Sequence, residues 1–460
     1  MQEPLINNLP NELLTWIFEI TPRYADNNHP GYTAWHRRLE YYPWLRFMLV
    51  CRRWRIVGER LLYRNMSLKI LDEPSESLTR VTKSPHICPF ARDLRLTVSL
   101  SKPVANSTLD LLRNFNAVRK LDLTGRPYKI GREILEIIRS MPLTEVSLGE
   151  LPSLNMIFEF FDIPTLTHLS VSSLDRGKNF QSPPSGSEEK KPALEEEEEN
   201  VSNSSPSPNT PTDTKPTLNG DAAEGTKALD ELLPSSRQRT SKITSIHFSC
   251  PSTGVQAAQQ LFLWPAHLEE VKISLLTTAN TYEEYTAEGV QSLLTPQSES
   301  LRKIDIGVMT QGRGGIPDFS NFPRLEEVTI SSYNLFHDSP EGAHQKLSAP
   351  ELKRLEISFS PEELWSESLN DFGENETLWL EEFIELVKDA PETSKLKNIY
   401  VRFKPQPTYP PRDDVDEWPW DMFEELAEVS EEYGITFEYD QPEFSKRQFC
   451  YINVVSFFST

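Results

Sequence analysis

Several things are scarce in this 460-residue sequence, and each absence closes a class of function. There are four cysteines, Cys51, Cys88, Cys250 and Cys450, none close to another. That rules out a CxxC redox or metal pair and a dense disulfide framework, and it fits a reducing compartment. Positive charge is short: 47 Lys and Arg stand against 69 Asp and Glu, for a net charge of −22. Such a chain repels phosphates at long range, so neither nucleic acid nor an anionic membrane is an expected partner. No apolar run reaches the ~18 residues a membrane helix needs. The N-terminal "MQEPLINN" lacks the basic and apolar regions of a signal peptide. The expectation is a cytoplasmic or nuclear protein.

Catalytic signatures are missing too. There is no GxSxG elbow, HExxH, GxxxxGK[ST] or spaced His/Cys cluster. The eight histidines are scattered. His168 and His247 read as occupants of one repeat position on a solvated strand face. "QGRGG" at 311–315 lacks the Lys and Ser/Thr of a phosphate loop. No catalytic residue, metal site or cofactor is expected. The alternative, an enzyme using "DDVDEWPWDMFEE" with Asp413 and Asp414, competes with a capping helix at that place.

What is present is a repeat. "VRKLDLTG" starts at 118, "LTEVSLGE" at 143 and "LTHLSVSS" at 166. "ITSIHFSC" starts at 243, "LEEVKISL" at 268, "LRKIDIGV" at 301, "LEEVTISS" at 325, "LKRLEISF" at 352 and "LKNIYVRF" at 396. "YRNMSLKI" at 63 and "ARDLRLTV" at 91 fit loosely, and "YGITFEYD" near 433 is a degenerate copy. Apolar residues fall at relative positions 1, 4 and 6, and positions 4 and 6 share one face of a strand. Amphipathic runs such as "GREILEIIRSM", with Ile134, Leu135 and Ile138 on one face, lie between the strands. One such unit cannot bury its own apolar face, so stacked neighbours must share a core. The pattern resembles leucine-rich repeats. That resemblance implies an α/β fold: a curved solenoid with a parallel concave sheet and helices on the convex side.

Repeats occupy 64–176 and 241–440. Between them, 177–240 is rich in Ser, Pro and Glu and has no aromatic residue from 181 to 246. It cannot bury enough apolar surface to offset the entropy of ordering, and it is expected to be disordered. Ser182, Ser205, Ser207 and Thr210 precede prolines there and are candidate phosphosites. Residues 441–460 form a tail or cap.

Residues 1–63 differ. "NLPNELLTWIFEI" begins at 8, and Pro10 suits the first turn of a helix. Leu13, Ile17 and Ile20 make one apolar row, Leu14 and Phe18 another, and Trp16 a third side. "WLRFMLVCRRWRIVGERLLYRNM" repeats this character, with Arg52, Arg53 and Arg55 along an outer edge. Two short helices with so many apolar sides need a covering partner. "LPNELLTWIFEI", "LVCRRWR" and "LLYRNM" resemble an F-box, the helical motif that docks on the Skp-type adaptor of cullin ubiquitin ligases. The matching positions are Leu9, Pro10, Glu12, Leu13, Ile17, Phe18, Leu49, Val50, Cys51, Trp54, Leu62 and Tyr63. Unlike the usual F-box, an inserted loop at about 21–43 separates the helices.

The resemblance implies a non-catalytic substrate receptor of an Skp–cullin–F-box (SCF) ubiquitin ligase. Leu9, Pro10, Glu12, Leu13, Ile17, Leu49, Val50, Cys51 and Trp54 would bind the adaptor and, through it, cullin. An unidentified protein substrate would sit on the repeats. The alternative is a leucine-rich scaffold that binds the adaptor without promoting ubiquitination. Positions 3, 5 and 7 of each strand face outward. The candidate substrate face is Lys303, Asp305, Glu327, Arg354, Glu356, Tyr400 and Arg402, where Arg354 and Arg402 offer forked donors for carboxylate or phosphate.

Overall fold

In the computed structural model, twelve strands form one sheet, all parallel and ordered as in the chain. The structure describes residues 9–17, 48–73, 75–99, 104–125, 132–149, 154–172, 235–249, 255–274, 285–309, 315–359, 372–390, 395–403 and 418–442. Phe18, the insertion at 21–43, the four Ser/Thr-Pro sites, most of "QGRGG", Asp413, Asp414 and residues 443–460 lie outside them.

Each motif copy begins its strand at position 3, which the packing explains. In the copy at 118, Val118, Leu121 and Leu123 are all buried, and the same three positions are buried from Leu143 through Val401. Positions 2 and 3 then lock the stack. Arg119 and Lys120 both donate their backbone N–H to Arg92 O, at 2.8 and 3.0 Å, and Thr144 and Glu145 do the same to Arg119 O. The bond pair recurs along the stack, so neighbouring strands meet without slippage. The strands are β1 (Asn65–Leu71), β2 (Asp93–Ser99), β3 (Lys120–Gly125), β4 (Glu145–Leu148), β5 (His168–Val171) and β6 (Ser245–Ser249). They continue as β7 (Glu270–Ser274), β8 (Lys303–Ile306), β9 (Glu327–Ser331), β10 (Arg354–Phe359), β11 (Asn398–Phe403) and β12 (Thr436–Tyr439).

Return helices cover the apolar side of the sheet. Helix Arg132–Arg139 buries Ile134, Ile137 and Ile138. The inward row therefore includes Ile137, while Leu135 packs only partly against the core. Helices Glu76–Lys83, Ala287–Leu294 and Pro340–Lys346 lie outside the expected amphipathic runs, and their N-caps Ser75, Thr286 and Ser339 mark where they begin. One buried amide ties the turn before β8 to the turn before β7. Gln297 Nε2 donates to Phe262 O and Pro265 O at 2.8 and 2.9 Å, and its Oε1 accepts from Leu268 N at 3.2 Å.

β5 pairs directly with β6, His168 against Ser245, so the 173–234 stretch falls between adjacent strands. Two sequence expectations change. Residues 235–240 belong to the fold rather than to the insert: Arg239 N and Thr240 N bond Leu263 O and Trp264 O, both at 3.0 Å. The last repeat copy starts at 434, one residue late, because Phe437 aligns with Ile399. Gly434 ends helix Pro419–Glu432 at φ +74 while Ile435 N reaches back to Ser430 O, and only glycine holds that φ without strain.

Gly315 is the second glycine whose φ matters. Its φ is +102, and a Cβ there would meet Asp338 Oδ1 at 2.6 Å. That same carboxylate accepts from Ile316 N at 2.9 Å and pairs with Lys346 Nζ at 2.9 Å. Gly315→Ala is expected to cost about 2 kcal/mol through strain and a displaced Asp338. Urea denaturation of both proteins measures it, and an unchanged midpoint contradicts the argument.

Candidate functional sites

The N-terminal helices form a small separate core. Residues 11–17 are helical, and Leu14 N donates to Pro10 O at 3.1 Å, so Pro10 opens the helix as expected. Helix α1 (Arg52–Leu62) lies against this segment. Leu14, Trp54 and Val57 are buried together, with Leu9, Cys51 and Leu61 partly buried around them. Arg53 clamps the two pieces: its Nε donates to Asn11 Oδ1 at 2.9 Å and its Nη2 to Leu9 O. Arg53 thus has a holding role rather than a place on the wet outer edge. On the far side, the Arg60 guanidinium stands 5.9 Å from the Phe90 ring centre and meets the first repeat.

The expected adaptor residues divide in two. Trp54 is 3% exposed and belongs to the small core, so it offers no surface for docking. Leu9, Cys51 and Ile17 are half-buried. Pro10, Glu12, Leu13, Leu49 and Val50 are exposed, and so are Trp16 and Ile56, which the motif match did not include. Seven large hydrophobic residues are exposed among the described residues, and five of them lie here: Leu13 at 45%, Trp16 at 61%, Leu49 at 85%, Val50 at 57% and Ile56 at 48%. The others, Leu71 and Leu378, stand apart from these helices in the chain. The exit residues Leu62 and Tyr63 are half-buried, with Tyr63 against the repeat core.

The second site is the polar face of the sheet. From β9 to β12 its side chains form a grid of three rows. Glu327, Arg354, Asn398 and Thr436 make one row, and Thr329, Glu356, Tyr400 and Glu438 the next. Ser331, Ser358 and Arg402 make the third, closed by Asp440, whose N–H reaches Val401 O at 3.2 Å. Strand spacing and rise make this patch roughly 14 Å on each side.

The two arginines are not free donors. Arg402 pairs with Glu356. Arg354 lies 3.9 Å from Glu356, 3.6 Å from Glu438 and 5.0 Å from the Tyr400 ring centre. The expectation that these guanidinium groups read carboxylate or phosphate is thereby corrected: the protein's own carboxylates already occupy them. Glu356 is only 12% exposed at its side chain. Burial pushes its pKa above the usual carboxylate value, against the pull of Arg402 and Arg354. Burial, then the bond from its hydroxyl to Asp440, pushes Tyr400 up to about 12. Lys303 pairs with Glu327 at 3.1 Å, and Asp305 with Lys272 at 2.7 Å.

Glu438 and Asp440 were missed from the sequence because the last copy was set one residue early, and a one-residue slip exchanges the two faces of a strand. His168 and His247 do not share a row: His247 aligns with Ser170. His247 sits between Ser170 Oγ at 3.4 Å and Ser274 Oγ at 3.3 Å, and burial, then nearby Lys272, lowers its pKa. Among the described residues, its two ring nitrogens meet hydroxyls rather than a carboxylate.

Among the described residues, no group of three His, Cys, Asp or Glu could hold a metal ion. No helix among them is long and apolar enough to cross a membrane. No protein-family model matches the chain. No curated protein matches it either.

Proposed function

We propose that this chain is the substrate-receptor subunit of an SCF-type ubiquitin ligase. Its N-terminal helices dock on the Skp-type adaptor, and its leucine-rich solenoid holds a protein target on the polar, concave face of the sheet. The observation that carries this reading is the concentration of exposed apolar side chains at residues 13–16 and 49–56 beside an otherwise well-buried repeat core. Exposed apolar surface of that kind marks a protein interface. Leu13, Leu49 and Val50 are both exposed and among the positions at which the sequence resembles an F-box.

The mechanism is tethering. The chain supplies no reacting group. It raises the local concentration of target lysines near a separate charged enzyme.

The test is assembly. Mixed with purified Skp adaptor and cullin, the full chain is expected to co-elute with both in size-exclusion chromatography. Co-elution with the adaptor alone would favour the scaffold reading. A chain that elutes without either partner would overturn the proposal.

A further inference from the structure

The patch across β9–β12 has an unmet demand of one kind. Ser331 Oγ, Asn398 Oδ1 and Asp440 Oδ2 are buried polar atoms without a hydrogen-bond partner. Glu356 Oε1 is not among them, because the Arg402 guanidinium meets it directly. Ser331 is fully buried, and it faces the same side as Ser358 and Arg402. A buried polar atom left unpaired costs about 1–3 kcal/mol, so three on one patch call for an explanation. All three can accept, and two can do nothing else once the carboxylate is ionised. Charge agrees: Glu327 is already paired with Lys303, and Glu356, Glu438 and Asp440 stand against Arg354 and Arg402, three acids to two bases.

The geometry points to a cationic recognition site: β9–β12 bind an Arg- or Lys-bearing segment of the target protein. A guanidinium or ammonium group brings several donors, fills the vacant acceptors and offsets the excess of carboxylates. The net charge of −22 steers a basic partner toward the chain. This inference deepens the receptor reading and rests on it for the word target.

The test is fluorescence anisotropy with the full chain and two labelled ten-residue peptides at physiological salt. One carries four arginines among Gly and Ser; the other carries four glutamates in their place. The cationic peptide is expected to bind at least tenfold tighter. Glu356→Gln and Asp440→Asn should each weaken it about tenfold. Glu424→Gln/Glu428→Gln, which removes two exposed charges from helix Pro419–Glu432, should leave it unchanged.

Asp440 follows the last strand, so Asp440→Asn stays informative even if Glu356→Gln fails to fold. Equal loss from the helix variant would reduce the effect to bulk charge and overturn the site, as would a preference for the glutamate peptide. Tighter binding after Lys446→Gln/Arg447→Gln would make the chain's own tail the occupant and remove the separate partner. Adaptor capture measured on the same samples separates this inference from the receptor reading, since the grid lies on β9–β12 and the docking helices precede β1.

Discussion

Leu49→Asp/Val50→Asp is expected to abolish capture of the Skp adaptor, weakening it at least about 100-fold, which corresponds to about 2.8 kcal/mol. Both side chains stand in solvent, at 85% and 57% exposure, so the free chain loses little when they become polar. In the complex the balance reverses. Each apolar contact is lost, and each carboxylate must be desolvated without a partner. Anchors near the centre of an interface cost 2 kcal/mol or more when truncated, and a buried unpaired charge adds to that. Titration calorimetry with purified adaptor reads the loss, and thermal unfolding should move by only a few degrees. Leu9 is a poorer choice for this test because it packs on Leu14 and Trp54, where a change would also loosen the helices. Full-strength capture by the double aspartate variant would remove the docking face.

Trp264→Ala is the second large effect, and it acts on folding. Trp264 stacks on Phe161 at 4.3 Å and lies 4.8 Å from Phe158. Those two rings come from helix Leu154–Phe161, before the long insertion, while Trp264 follows helix Val255–Leu263, after it. The indole therefore joins the two halves of the repeat array through side chains, as β5 and β6 join them through the backbone. The backbone carbonyl of residue 264, which alanine would keep, accepts from Thr240 N at 3.0 Å. Removing the indole should cost about 3–5 kcal/mol, the range for a buried aromatic replaced by alanine.

The form of the loss is as telling as its size. Stacked repeats derive stability from nearest-neighbour interfaces, and weakening one interface uncouples the blocks on either side. A single urea transition should split into two, seen by fluorescence and circular dichroism at different midpoints. A single transition shifted by less than 1 kcal/mol would show that backbone pairing alone couples the halves.

The same contrast explains what was legible beforehand. The strands were readable because each repeats three inward apolar positions at fixed spacing, and water exclusion acts on every copy alike. The "GREILEIIRSM" helix was readable for its existence but not its facing, since Leu135 and Ile137 differ little in character and only the neighbouring helices decide which turns inward. Leu49 and Val50 stood out as apolar residues in excess of what two short helices can hide. Trp54, equally apolar, could not be told from them until the place of Leu14 was known. Arg402 looked like a free donor because Glu356 meets it from a neighbouring strand, and Arg354 because Glu438 reaches it from β12.

The sequence by itself determined the strand pattern, the parallel order and the separateness of the N-terminal helices, because these follow from local periodicity and composition repeated many times. Only the tertiary structure decided which apolar residues stay in water and which charges are already spent. Both depend on neighbours brought close by folding from distant parts of the chain, such as Asp440 beside Tyr400 and Asn11 beside Arg53.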